Sequence, residues 1–292
     1  MIARPEADAG HTPWSAPGAQ SDFLRTLPAD PAALPDALER FVIHHVIAPM
    51  IGVPVPAYAE GDRSLRHAER LLAALASRDA RALTEKRHIE NYLYGTCHDF
   101  ALLAVAALRE RGVPARLRVG FASYFNAGRW EDHWVCEHWV GDRWALMDGQ
   151  LGPLAREGFR IGFDVADMPP GAWRSAADAW RAVRAGALDA AICGYPNAKL
   201  VGEWFVAAAL MRDAVALAGI ETLPWDHWGP GQELLETRRV TAEQAVLFDA
   251  LAAALDPAPT DRSAARRVLA AHTWLGTESA ILAELESHPE RA

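Results

Sequence analysis

The chain has 292 residues, 51% of them hydrophobic and 23% charged, with 29 Lys plus Arg against 38 Asp plus Glu. A half-apolar composition with a mean hydropathy of -0.05 is that of a globular chain able to bury a core, not a disordered one. The net charge of -9 offers no excess of cations to neutralise phosphates, which argues against nucleic acid and anionic membrane as partners.

Cys97, Cys136 and Cys193 are too few and too scattered for a disulfide framework or a structural zinc site, so reduced thiols, no metal and no cofactor are expected. Residues 1–20 lack the apolar run of a signal peptide. The most apolar later stretch, 204–217, is interrupted by Arg212 and Asp213 and falls short of the ~20 residues that a bilayer span requires. These features predict a soluble, cytoplasmic protein in three parts: a loose arm over 1–30, a core over 31–165 and a mainly helical region over 166–292 packed on that core.

In chain order, apolar residues recur at helical spacing over 35–46 and 64–76, with a Gly/Pro-rich connection between them. A third helix is predicted from Thr84 to Tyr94, stopped by Gly95. Thr96 with Asp99 three residues on has the form of a capping box, so a helix should begin at Cys97. It should end where Gly112 provides a left-handed residue and Pro114 forbids continuation. Alternation over 115–122 then predicts a half-buried strand with Leu117, Val119 and Phe121 on one side and Arg116 and Arg118 on the other.

After a loop over 123–132, residues 133–140 and 143–149 read as two strands joined by Gly141-Asp142 in a tight hairpin. Helices are predicted over 175–185, 199–218, 241–255 with Thr241 and Gln244 as a capping box, and 261–271.

A lone cysteine on an apolar helix face is by default a packing residue. Cys97 differs from that default in standing at the first position of a helix, where unpaired N–H groups and the macrodipole favour a thiolate. Such a nucleophile needs a base. His98 is displaced by about 100° around the helix and reads as a solvated first-turn residue. His44-His45 falls within the first predicted helix and has no metal-site pattern. Cys136 and Cys193 read as packing residues.

The hairpin offers better partners. If Gly141-Asp142 is a two-residue turn, Val140 opposes Arg143, Trp139 opposes Trp144 and Asp148 opposes Val135. His133 shares Val135's face and is then a diagonal neighbour of Asp148, whereas His138 points to the other face. Thiol, imidazole and carboxylate divide the labour of nucleophilic acyl transfer: His133 activates Cys97, and Asp148 fixes the imidazole tautomer. The Cys97 N–H could supply one oxyanion donor; Asn91, Tyr92 and Trp134 are candidates for a second.

Three blocks, Gly95-Thr96-Cys97-His98-Asp99-Phe100-Ala101, Arg111-Gly112-Val113-Pro114-Ala115-Arg116, and His133-Trp134-Val135-Cys136-Glu137 with Gly141 to Asp148, resemble the transglutaminase-like superfamily in order and spacing. The resemblance implies an α+β, papain-like core with flanking helices and a triad of Cys97, His133 and Asp148. Trp134 stands where the family has a small residue and Gly149 where it often has proline, so the shape of the acyl pocket departs from the pattern. Asp132 and Trp134 beside the base, and Asp226 and His227 in the aromatic segment 223–229, are further candidates for binding substrate.

The expected activity is a thiol acyltransferase or amide hydrolase using an amide or acyl donor and an amine or water acceptor, small molecule or peptide. A cysteine protease or amidase acting on peptides, or a non-catalytic binding protein of the same fold, are the competing readings.

Overall fold

The computed structural model describes residues 3–287, which form an α+β structure in two compact units. One unit holds the described residues up to Leu117 together with Val135–Met168; the other holds Arg118–Trp134 and the described residues from Pro169 on. The division therefore interleaves along the chain and does not follow the expected boundary at 165. Eight strands are used below: β1 (Val42–His44), β2 (Leu93–Gly95), β3 (Ala115–Ala122), β4 (Trp130–Val140), β5 (Arg143–Met147), β6 (Trp173–Ser175), β7 (Cys193–Tyr195) and β8 (Leu200–Val201).

In the first unit, β1 and β2 form a small parallel sheet, with His44 opposite Gly95. This overturns two expectations. Residues 35–46 are not one helix but the Leu34–Leu38 helix followed by β1, and 84–94 hold a short 3-10 turn, Ile89–Asn91, followed by β2. Pairing between segments some 50 residues apart, seen in the His45 N–H donated to the Gly95 carbonyl at 3.0 Å, overrides the local helical spacing. The rings of His44 and His45 stack with centroids 4.9 Å apart. The expected helix over 64–76 runs from Ala68 to Arg78.

Nor is the N-terminal segment a loose arm. Trp14, Leu24 and Leu27 are buried, the Trp14 carbonyl accepts from Ala68 N–H at 2.7 Å, and buried Arg109 donates to Ser15 Oγ at 2.8 Å.

The hairpin of β4 and β5 has the predicted register, with Val140 opposite Arg143 and Trp139 opposite Trp144. Gly141, at φ 63°, supplies the left-handed residue that a tight hairpin turn demands. The two tryptophans meet edge to face at 5.5 Å, and Arg116 lies over the Trp144 ring at 4.0 Å while its Nε donates to Glu137 at 2.6 Å. The strand β3 is thus buried along its whole length, not half-buried, because each of its arginines meets a carboxylate within its own unit.

In the second unit the strands follow the order β6-β3-β4-β7-β8. Arg118 there makes two bonds of 3.0 Å to Asp213, whose carboxylate also accepts the Val119 N–H at 2.8 Å. Asp213 belongs to the Glu203–Leu217 helix, nearly all of which is buried. That helix begins later than expected, since Lys199 is left-handed and 200–201 form β8. The helices Ala176–Arg184, Ala242–Leu255 and Arg262–Ala271 lie where expected; the predicted Thr241/Gln244 box caps the second, and Ser175 and Asp261 cap the other two. Among the described residues no helix is long and apolar enough to cross a membrane.

Asp213→Ala removes the carboxylate that the buried Arg118 guanidinium and the Val119 N–H share. It is expected to lower the unfolding free energy by about 3–5 kcal/mol. Urea denaturation checks this; a loss under 1 kcal/mol would show that the pair contributes little.

Candidate active site

The first unit presents Cys97 as the first residue of the Cys97–Arg109 helix, 8% exposed, as the sequence predicts. The capping box is present, and the acid does most of its bonding: Asp99 Oδ2 accepts the Thr96 N–H at 2.7 Å and the Thr96 hydroxyl at 3.2 Å. Gly95 is a glycine because a Cβ there would lie 2.7 Å from that same oxygen. His98 is not solvated but fully buried, with Nδ1 3.2 Å from Asp99 Oδ1. The expectation failed because the first turn faces the interior on every side.

Asp148 follows β5 and is fully buried. Its Oδ1 accepts the Gln150 N–H at 2.9 Å, and its own N–H donates to the Val165 carbonyl at 2.8 Å, so the carboxylate is oriented by main chain on both sides. Gly149 sits against the first turn of the Cys97 helix. A Cβ there would come within 3.1 Å of both the Phe100 carbonyl oxygen and Leu38 Cδ1. His138, which pairs in register with Ala145, donates from Nε2 to the Ala166 carbonyl at 2.9 Å, and burial pushes its pKa down. That engagement sets it apart as a structural histidine.

The second unit presents His133, 2% exposed, on β4. Its backbone carbonyl accepts Trp173 Nε1–H at 3.0 Å. Its ring is met edge to face by Phe125 at 4.8 Å and Tyr124 at 6.0 Å, which leave the imidazole little rotational freedom. Trp134 is buried at 1% exposure, a packing position.

The remaining candidates gather around one buried guanidinium that sequence reading overlooked. Arg212 is 3% exposed on the Glu203–Leu217 helix. It acts electrostatically on Asp132, Asp226 and His227. Burial pushes the Asp132 carboxyl up to about 6, against the pull of Arg212 and His133. Burial, aided by Arg212, pushes the His227 imidazole down to about 4, against Asp226. Asp226 also closes the 223–226 turn by accepting the Leu223 N–H at 2.7 Å. Arg212, Asp226, His227 and Trp228 pack around a narrow recess that admits no water-sized molecule. The signal for Arg212 was available, since a charged pair inside an otherwise apolar helix is buried only when partnered.

The other two thiols are packing groups. Cys136 and Cys193 are fully buried, and burial pushes the Cys193 thiol up to about 12.

Residues 62–149 match the model of the transglutaminase-like superfamily. That matched segment contains Cys97, His133 and Asp148. No curated protein matches the chain. A crystal structure from Cytophaga hutchinsonii, described as that of a "Putative Cysteine Protease", matches at 16% identity and a TM-score of 0.30, over 50% of this chain and 42% of that one. The chain thus spans less than half of that protein's length. The superfamily match supports a cysteine-dependent enzyme at family level.

The two shifted groups oppose one another. Asp132 binds its proton more tightly folded than unfolded, so its contribution to stability declines as pH rises from 3.8 through about 6. His227 binds its proton less tightly folded, so its contribution declines as pH falls from 6.5 through about 4. Relative to wild type, Asp132→Asn should gain stability as pH rises across this window and His227→Gln as pH falls. Urea midpoints between pH 4 and 6.5 measure both, and a pH-independent offset in either variant contradicts the assignment.

Proposed function

We propose that this protein is a thiol acyltransferase or amide hydrolase in which Cys97 is the nucleophile, His133 the general acid and base, and Asp148 the group that orients the imidazole. The observation that carries the reading is the placement of Cys97 at the N-terminus of a capped helix, inside the segment that matches the transglutaminase-like superfamily. Backbone N–H groups at that end stabilise a thiolate and, after attack, an oxyanion. The hairpin register supports the choice of base. The last pair, Cys136 with Met147, continued by one position sets Val135 against Asp148, and His133 shares Val135's face of β4.

In this mechanism the Cys97 thiolate attacks an amide carbonyl, and the oxyanion collapses to a thioester as His133 protonates the departing amine. A second amine or a water, deprotonated by His133, then releases the acyl group and restores the thiol. Asp148 holds the imidazole with its proton on the side away from the sulfur. Transfer and hydrolysis share these steps and differ in whether an amine or water reaches the thioester. Asp132 and Arg212 beside the base, with Asp226 and His227, would form the acceptor side, where a carboxyl poised near 6 suits a cationic amine.

Native protein treated with iodoacetamide at pH 7 should be alkylated at Cys97 alone, since Cys136 and Cys193 are closed to solvent. His133→Ala should slow that reaction by about tenfold, and His138→Ala should leave it unchanged, because thiolate reactivity depends on an adjacent base. If His138→Ala is the slower variant, the register argument names the wrong histidine. A Cys97-bound acyl group seen by mass spectrometry after incubation with amide donors, absent in Cys97→Ser, identifies the thioester. Labelling of Cys97 only after denaturation would make it a packing residue.

A further inference from the structure

Outside the candidate active site, the second unit contains a cavity of about 500 Å³ lined by Lys199, Gly202, Glu203, Trp204, Arg238 and Arg239, with Val201 and Val240 as apolar walls. Three cations converge on it. Among the described residues no carboxylate pairs with Lys199, Arg238 or Arg239. The one acid in the wall, Glu203, is directed to Arg184 at 3.5 Å. Other surface arginines do meet carboxylates, among them Arg143 with Asp167, Arg156 with Asp36 and Arg181 with Asp256. In a chain of net charge -9, a concave cluster of unneutralised cations runs against the general balance.

Lys199 is, moreover, one of only two lysines. It and Arg238 are held with φ of 56° and 53°, in the left-handed region that side chains of this kind rarely adopt. Of the three non-glycine residues with positive φ among the described residues, two therefore carry cations into this one cavity. Both are C-cap residues, where a left-handed conformation ends the helix and turns the chain. Here the Lys199 N–H is bonded to Pro196 O and the Arg238 N–H to Leu234 O, both at 2.9 Å, which holds the two side chains on the cavity rim.

We propose that this cavity binds a small molecule carrying a phosphate monoester group. Lys199, Arg238 and Arg239, with Arg184 shared between Glu203 and Asp249, leave two positive charges that a dianion balances. Two guanidinium forks match the geometry of phosphate oxygens, and the ammonium of Lys199 serves as a point charge. The valine walls leave room for a modest apolar substituent on the ester. This site is independent of the proposed triad and does not require it to be catalytic.

Calorimetric titration with phenyl phosphate and with succinate, at constant ionic strength set by potassium chloride, tests the assignment. Saturable one-site binding of phenyl phosphate is expected, weakened about tenfold by Lys199→Gln and by Arg239→Gln, the usual loss for a charge-assisted hydrogen bond. Arg143→Gln removes the same charge elsewhere and should leave the affinity unchanged. Thermal melts of the variants show that each is folded, and Arg239→Lys should recover part of the lost affinity. The proposal is overturned by the absence of saturable binding to the wild type or by equal binding of all variants. It is also overturned if succinate binds as tightly as phenyl phosphate, or if anionic vesicles or an RNA oligomer bind where phenyl phosphate does not.

Discussion

The Asp99 carboxylate is the constraint on which the thiol end of the molecule depends. One of its oxygens takes the Thr96 N–H and hydroxyl, and the other faces His98 Nδ1. A helix start buried in a protein interior has orphan donors that water cannot reach, so a charged acceptor within the first turn decides whether the helix begins there or frays. Gly95 leaves the space for that carboxylate, and the sulfur of Cys97 is held at the mouth of the turn as a result. Gly-Thr-Cys-His-Asp is therefore one mechanical unit: four residues build the platform and Cys97 stands on it.

A second constraint is how β3 remains buried despite carrying two arginines. Each guanidinium finds a carboxylate within its own unit, Glu137 for Arg116 and Asp213 for Arg118, and Arg116 also gains an aromatic face from Trp144. Such pairs add little net stability compared with apolar residues of equal volume, but they penalise any arrangement that separates them. They fix register. A slip of one residue along β3 would move both guanidinium groups to the wrong face at once.

The parts of the structure legible in the sequence are those set by short-range signals. The start of the Cys97 helix, the β4–β5 register and the Thr241/Gln244 capping box each depend on residues within a few positions of one another. What stayed hidden was set by distant partners. Residues 42–44 and 93–95 are strands only because they pair with each other, and helical spacing within either segment gave no hint of it. The burial of His98, the full burial of β3 and the tethering of the N-terminal segment by Arg109 are likewise tertiary. In the candidate site, local pattern pointed to Cys97, His133 and Asp148, while the partners of Arg212 were hidden because they come from β4 and from a loop after its own helix.

Gly149 carries a consequence for how this core can vary. Its bare Cα faces the Phe100 carbonyl and Leu38, so the strand end that bears Asp148 and the turn that bears Cys97 meet main chain to main chain. The residue after the acid then acts as a gauge of the gap between sheet and helix. A chain that places a larger residue there must move the Leu38 side chain or the Phe100 carbonyl by a few tenths of an ångström. A smaller side chain at the position of Leu38 would give part of that room, so the two positions should change together as the core diverges.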